Sequence, residues 1–155
     1  MTLIKSISGI RGTIGGKVGD NLTPIDAVKF AAAYGTWLKN NNPNVSKLKV
    51  VVGRDARISG PMVHNLVINT LIGLGIDIID LGLSTTPTVE VAVPLENANG
   101  GIILTASHNP KQWNALKLLN EKGEFLNGIE VEKILVIAES DAFDFSDVDN
   151  LGEIT

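Results

Sequence analysis

The sequence predicts an α/β fold: a three-layer α/β/α sandwich around a mixed, mainly parallel sheet. Short runs rich in valine, isoleucine and leucine are bounded by turn residues, and their nearly continuous apolarity is typical of strands covered on both faces. Segments with helical apolar spacing separate these runs, and such alternation indicates a layered arrangement. With 155 residues, of which 44% are hydrophobic, the chain can bury the core of one domain.

The predicted strands are short and carry turn residues at their ends. Near the N-terminus, the segment Leu3–Gly16 has a glycine-rich turn between two extended runs, which predicts an antiparallel pair at the sheet edge. The remaining strands are predicted at Leu48–Gly53, Ile76–Gly82, Gly101–Thr105 and Asn114–Leu119.

Four helices are predicted between the strands. The first begins at Thr23-Pro24, where threonine caps the helix, proline takes the first position and Asp26 meets the positive helix end. The others begin at Pro61, near Thr86-Pro87 and after Asn127, for which Glu130 is a capping-box partner. The first helix is expected to bury the residues at helical spacing, namely Ile25, Val28, Ala32, Gly35 and Leu38.

Composition excludes several classes of protein. The net charge is −4 and no cluster of lysine or arginine occurs, which argues against a nucleic-acid partner. The absence of cysteine excludes disulfides and thiol catalysis, and it fits a cytoplasmic location. No secretory signal is expected, and no membrane span, because no apolar run approaches the roughly 20 residues that one requires.

The last fifteen residues differ from the rest of the chain. Residues 141–155 are acidic and lack helical periodicity, so we predict a solvated connector after a domain of residues 1–140. A metal site is the alternative interpretation, because hard cations bind clustered carboxylates. The aspartates concerned are Asp141, Asp144, Asp147 and Asp149.

Polar residues follow two of the predicted strands. Ser107 and His108 come just after one strand, and Arg54 and Asp55 follow another. In open α/β sheets, ligands bind beyond the carboxyl ends of the strands, so these residues are candidates for a site. The chain lacks the nucleophile elbow of serine hydrolases, the phosphate-binding P-loop and the dinucleotide fingerprint.

A serine at a strand end can instead carry a phosphoryl group, which needs cations and N–H donors around it. Arg11, between glycines, is either such a cation or an ordinary surface arginine. Lys117 lies within a predicted strand and either faces solvent or points into the site. If it is desolvated near other cations, it would lose its proton more easily and could serve as an acid or base.

Three motifs in order, SGIRG, GRDARISG and TASHNP, make the chain resemble the phosphohexomutases, the superfamily of phosphoglucomutases, phosphomannomutases and phosphoglucosamine mutases. TASHNP resembles the family's active-site serine loop, and WNALKL resembles the segment that carries a lysine near the sugar. The resemblance extends from Leu3 to about Leu151 and implies domain I of such an enzyme.

The resemblance implies a role for each candidate residue. Ser107 would be the phosphoserine, which gives its phosphoryl group to a hexose phosphate and takes back the other phosphate of a bound hexose 1,6-bisphosphate. Mg²⁺ would contact Ser107 through this phosphate. His108 and Lys117 would transfer protons or orient the substrate, Arg11 would support the phosphoryl group, and Asn109 would bind phosphate or substrate. Arg54 and Asp55 would brace the loop as an ion pair.

The chain also departs from the family. The D-G-D-x-D metal loop of later family domains is absent, so we expect the remaining domains of the same polypeptide as partners and no isomerisation by the chain alone. The preferred hexose phosphate stays open. A non-catalytic sugar-phosphate-binding or interaction module with this fold is the alternative, and a serine hydrolase is a more distant one.

Overall fold

A computed structural model describes residues 1–155 and contains six strands and four α-helices. The strands are β1 Ile4–Ser6, β2 Gly9–Thr13, β3 Lys49–Arg54, β4 Asp77–Leu83, β5 Gly100–Leu104 and β6 Trp113–Leu119. The helices are α1 Pro24–Asn41, α2 Gly60–Gly73, α3 Thr86–Leu95 and α4 Gly128–Ser140, followed by a short 3₁₀ turn at Val148–Asn150.

The strands form one mixed sheet in the order β1-β2-β6-β5-β3-β4. β3 pairs in parallel with β4 and β5, and the other three pairings are antiparallel. The predicted antiparallel edge is present as β1 and β2. The predicted mixed sheet is confirmed. It is mainly parallel in the sense that four of the six strands, β2 to β5, run in the same direction, although three of the five pairings between neighbours are antiparallel. The reason is that β6 returns directly after β5 and then pairs with β2.

The helices cover the sheet on both sides, which confirms the three layers. Alternate side chains of a strand point to opposite faces, so Val50 and Val52 join the larger core cluster with α1, α2 and α4. Val51 points the other way and packs with Val89 and Val93 of α3.

Local signals placed the helix starts correctly. Thr23 caps α1 in a full capping box with Asp26, and Asn127 caps α4 in the same way with Glu130. The predicted burial of Ile25 is wrong, because this side chain is 62% exposed. Asp26 takes the inward position and is 2% exposed, since its carboxylate accepts hydrogen bonds from the hydroxyl and amide of Thr23 and the amide of Gly19.

The acidic tail follows the surface of the domain. Most of its side chains are exposed, as predicted for a solvated segment, but its backbone is bound. The amide of Ile78 in β4 donates to the carbonyl of Glu153, the amide of Thr155 donates to the carbonyl of Ile78, and the amide of Gly152 donates to Ile72. Main-chain pairing thus holds the exposed segment on the edge of β4. No group of three acidic or histidine side chains in the molecule could hold a metal ion, so the alternative metal site is not formed.

No helix in the structure combines the length and the apolarity that crossing a membrane requires.

Candidate active site

Ser107 lies in the loop that joins β5 to β6, residues 105–112, which we call the serine loop. Its backbone φ is +53°, in the left-handed region that costs a non-glycine residue about 1–2 kcal/mol. Such strain persists only when surrounding contacts hold it. The amide of Ser107 donates to the Thr105 hydroxyl at 3.1 Å.

Lys117 points towards the serine loop. β5 and β6 pair antiparallel with Ile103 opposite Lys117, so the lysine lies beside the strand that leads into the serine loop. Its Nζ donates a hydrogen bond to Ser107 Oγ at 2.6 Å. Of the two orientations that the sequence left open, the structure has the one that faces the site.

The surroundings of Lys117 lower its pKa. Burial of the ammonium group is the largest cause and the positive charge of Arg11 is the second, while the Asp55 carboxylate acts in the opposite direction. The neutral amine is therefore easier to form than in a free lysine side chain. A lysine that can both donate and accept a proton at this distance is suited to acid–base work at Ser107 Oγ.

Arg11 comes from β2, where it pairs with Ala115 of β6. Its Nε is buried and has no hydrogen-bond partner in the structure. Buried donors are nearly always satisfied, so this one leaves a position for an acceptor such as a water or an anion. An anion in front of Arg11 and Lys117 would meet two cations.

A small cavity of about 60 Å³ joins these groups. Larger depressions exist, such as an open groove of about 470 Å³ between α1 and α2, but its lining contains no titratable side chain. The small cavity brings the serine hydroxyl of a strand-end loop together with two basic side chains. Its lining consists of Ser8, Arg11, Ala106, Ser107, Asn109, Ala115 and Lys117.

Arg54, the last residue of β3, and Asp55, which follows it, do not form the predicted ion pair with each other. The Arg54 guanidinium donates to the main-chain carbonyl of Asp55 at 3.2 Å. The Asp55 carboxylate instead pairs with Arg57 at 3.2 Å and accepts a hydrogen bond from the Thr105 hydroxyl at 2.5 Å. The predicted Arg54–Asp55 ion pair is thus corrected: the arginine two positions after the aspartate closes the turn and reaches its carboxylate.

Sequence reasoning missed Arg57 and Ser8. Arg57 donates to the carbonyl of Ser107 at 2.8 Å and to that of Asn109 at 2.9 Å. Its signal was present inside GRDARISG, as an arginine two residues after a turn-forming aspartate. Ser8 lines the cavity from the turn between β1 and β2, and an isolated serine in a turn gives no such signal.

The two residues after Ser107 differ in placement. Asn109 lines the cavity, and its amide closes a turn on Ala106 at 3.0 Å. His108 is exposed, makes no side-chain hydrogen bond and is not part of the cavity lining. The structure therefore brings Arg11, Ser107, Asn109 and Lys117 together and leaves His108 at the rim.

The chain's own residues do not fit a complete Mg²⁺ site. The cation prefers several oxygen ligands, with carboxylates among them, and no cluster of three acidic or histidine side chains exists. Asp55, the carboxylate below the serine loop, is already engaged by Arg57 and Thr105. The Ser107 hydroxyl is a neutral oxygen.

Fold and site together define a three-layer α/β/α domain in which a serine hydroxyl at a strand end bonds to a lysine and shares a cavity with an arginine. Residues 3–144 match the family model described as phosphoglucomutase/phosphomannomutase, alpha/beta/alpha domain I. The chain therefore belongs to the phosphoglucomutase/phosphomannomutase family, as its domain I, and the resemblance seen in the sequence is confirmed.

Individual relatives agree with this assignment. A phosphoglucomutase/phosphomannomutase of Thermococcus kodakarensis is 37% identical over 92% of this chain and 31% of its own length. A phosphoglucosamine mutase of Lactobacillus acidophilus is 35% identical over 95% of this chain and 32% of its own length. The chain thus spans about a third of the curated relatives it matches. A family structure from Burkholderia thailandensis, 24% identical, superposes with a TM-score of 0.79 over 98% of this chain and 32% of its own length, and it shows the fold alone.

Proposed function

We propose that Ser107 Oγ carries a phosphoryl group, and that this chain is the first domain of an enzyme that moves phosphate between the 1 and 6 positions of a hexose phosphate. One observation supports this most strongly: Lys117 Nζ lies 2.6 Å from Ser107 Oγ, in a cavity where Arg11 has a buried unpaired donor. A phosphoserine has three acceptor oxygens, which these cations would bind.

In the proposed reaction the phosphoryl group leaves Ser107 Oγ for a free sugar hydroxyl, which gives a hexose 1,6-bisphosphate. The bond from Oγ to phosphorus breaks as the bond from the sugar oxygen forms, and the ammonium of Lys117 gives its proton to Oγ. The sugar hydroxyl loses its proton to a base, for which His108 is this chain's candidate. After the bisphosphate turns over, the bond from the other sugar oxygen to phosphorus breaks as Oγ takes this phosphoryl group. Lys117 takes the proton of Oγ back, and the base returns its proton to the freed sugar oxygen.

The reaction also requires a metal ion and residues that bind the sugar and its second phosphate. We propose that residues outside this chain supply them. Phosphoryl transfer depends on charge neutralisation and positioning, and the chain alone does not form an Mg²⁺ site. We propose that in the full-length enzyme Mg²⁺ meets this domain only through the phosphoryl oxygens on Ser107. The remaining domains of the same polypeptide would bind the sugar and its second phosphate. The cytoplasm is the proposed location of this chemistry.

Substitution of Ser107 by alanine in the full-length enzyme tests the proposal. We expect turnover to be nearly abolished with the fold retained, and intact-mass analysis should find one phosphoryl group on the wild type and none on the variant. Ser46→Ala, at an exposed serine outside the site, is the matched control and should behave as the wild type. Full activity of Ser107→Ala would contradict the mechanism.

A second candidate function is a sugar-phosphate-binding module without turnover, in which Arg11 and Lys117 would bind the phosphate group of the ligand. Such a module would bind hexose phosphates in its full-length form with Ser107 unphosphorylated. Isothermal titration combined with intact-mass analysis of Ser107 distinguishes the two functions.

A further inference from the structure

The Arg57 guanidinium lies beneath the serine loop with all five of its N–H donors in use. Its side chain is 11% exposed. A guanidinium is planar and rigid, so five hydrogen bonds fix the groups around it relative to one another. The acceptors are Asp55 Oδ2 at 3.2 Å and the carbonyls of Pro110 at 2.8 Å, Trp113 at 3.2 Å, Ser107 at 2.8 Å and Asn109 at 2.9 Å.

Arg57 is itself held in place by Asp55. The Arg57 amide donates to Asp55 Oδ1 at 3.1 Å, and the Thr105 hydroxyl donates to Asp55 Oδ2 at 2.5 Å. The same Thr105 hydroxyl accepts the amide of Ser107 at 3.1 Å. The network therefore reaches Ser107 at both main-chain groups, its carbonyl through Arg57 and its amide through Thr105.

This network accounts for the left-handed backbone of Ser107. A serine at φ +53° is unfavourable unless its neighbours hold it, and here both peptide groups of the residue are bound. The backbone conformation determines where Oγ points, and Oγ lies 2.6 Å from Lys117 Nζ. Arg57 does not bond to Oγ and is not part of the cavity lining.

We propose that Arg57 is a positioning residue for phosphoryl transfer: it locks the serine loop so that Ser107 Oγ stays aligned with Lys117. The inference rests on the proposed function of Ser107. Its consequence is specific, because a residue that orients the reacting oxygen without touching the substrate affects the rate of transfer and not substrate binding.

Amide hydrogen exchange on the 155-residue chain tests whether Arg57 restrains the serine loop, independently of catalysis. In Arg57→Ala, the amides of Asn109 and Trp113 should exchange about 10-fold faster or more, the ratio that corresponds to one net hydrogen bond. The Ile103 amide in β5 should be unchanged. Lys122→Ala, which removes an exposed positive charge away from the loop, is the control and should leave all three amides unchanged.

Phosphoryl uptake by the full-length enzyme from hexose 1,6-bisphosphate tests positioning. The maximal rate in Arg57→Ala should fall by about 10²-fold, the scale of a small misplacement of a reacting group, while the half-saturating bisphosphate concentration stays the same. Millimolar guanidinium ion should restore part of the rate. Arg57→Lys keeps the charge but has only three donors, and it should lie between wild type and Arg57→Ala.

Unchanged exchange in the serine loop of Arg57→Ala would overturn the proposal. If exchange in β5 accelerates equally, Arg57→Ala has lost stability as a whole, and the same comparison is then made on Arg57→Lys. Equal acceleration of the loop and of β5 in Arg57→Lys would also overturn the proposal. A raised half-saturating concentration with an unchanged maximal rate would also overturn it, because Arg57 would then act in binding. If the wild-type enzyme takes up no phosphoryl group at Ser107, the proposed function is refuted. The exchange data would still show whether Arg57 restrains the serine loop.

Discussion

Lys117→Met is the substitution that separates a catalytic lysine from a structural one. Methionine keeps an unbranched stem and removes the proton donor that lies 2.6 Å from Ser107 Oγ. General acid–base groups contribute at least about 10²-fold to rate, which corresponds to about 2.7 kcal/mol in the activation barrier. We therefore expect turnover of the full-length enzyme to fall by about 10²-fold or more.

The same substitution should not weaken the fold. Burial and the charge of Arg11 lower the pKa of Lys117 below its ordinary value of 10.5, which means that folding disfavours the ammonium form. Between the lowered pKa and 10.5 the unfolded chain binds more protons, so wild-type stability rises with pH through this window. Methionine does not titrate. The free energy of unfolding of Lys117→Met should therefore exceed that of the wild type most at pH values below this window. The difference should shrink as the pH rises through the window.

Steady-state kinetics and urea unfolding across pH measure both expectations. Lys111→Met, at an exposed lysine of the serine loop, is the matched control and should retain turnover. Normal turnover in Lys117→Met together with a large loss of stability would refute the reasoning and assign Lys117 a structural role.

Three further predictions concern the site and its frame. Arg11→Met should raise the pH at which acetic anhydride modifies Lys117, since it removes a charge that lowers the pKa; an unchanged midpoint would contradict this. Gly9→Ala should destabilise the chain by about 1–3 kcal/mol in urea unfolding, because φ is +116° and a Cβ would lie 2.8 Å from the Leu116 oxygen. Gly128→Ala, where a Cβ meets nothing within 4 Å, is its control and should be neutral or stabilising. The 155-residue chain with Mg²⁺ and a trace of bisphosphate should isomerise no hexose phosphate, and multiple turnovers above a Ser107→Ala background would show that it is a complete catalyst.

Most of the fold was predictable because its signals are local. The apolar runs predicted β3 to β5, and the capping residues Thr23 and Asn127 located two helix starts correctly. The burial of Asp26 in place of Ile25 was not predictable from periodicity. It depends on hydrogen bonds from Gly19 and Thr23, which the helix pattern does not contain.

The sequence predicted which residues form the site better than it predicted the contacts between them. The motifs indicated Ser107 and Arg11, but the periodicity of β6 allowed Lys117 to face either way. Only the register between β5 and β6 places it beside Ser107. The contacts of Arg57 with the serine loop could not be derived from sequence, since the acceptors there are main-chain carbonyls and carry no residue signature.

The central claim is that Ser107 Oγ carries the phosphoryl group, and phosphopeptide mapping of the full-length enzyme tests it most directly. After incubation with radiolabelled hexose 1,6-bisphosphate and Mg²⁺, we expect one label per chain, located at Ser107 and released to added hexose monophosphate at a rate compatible with turnover. Label at any other residue, or a Ser107→Ala variant that is labelled and active, would contradict the claim.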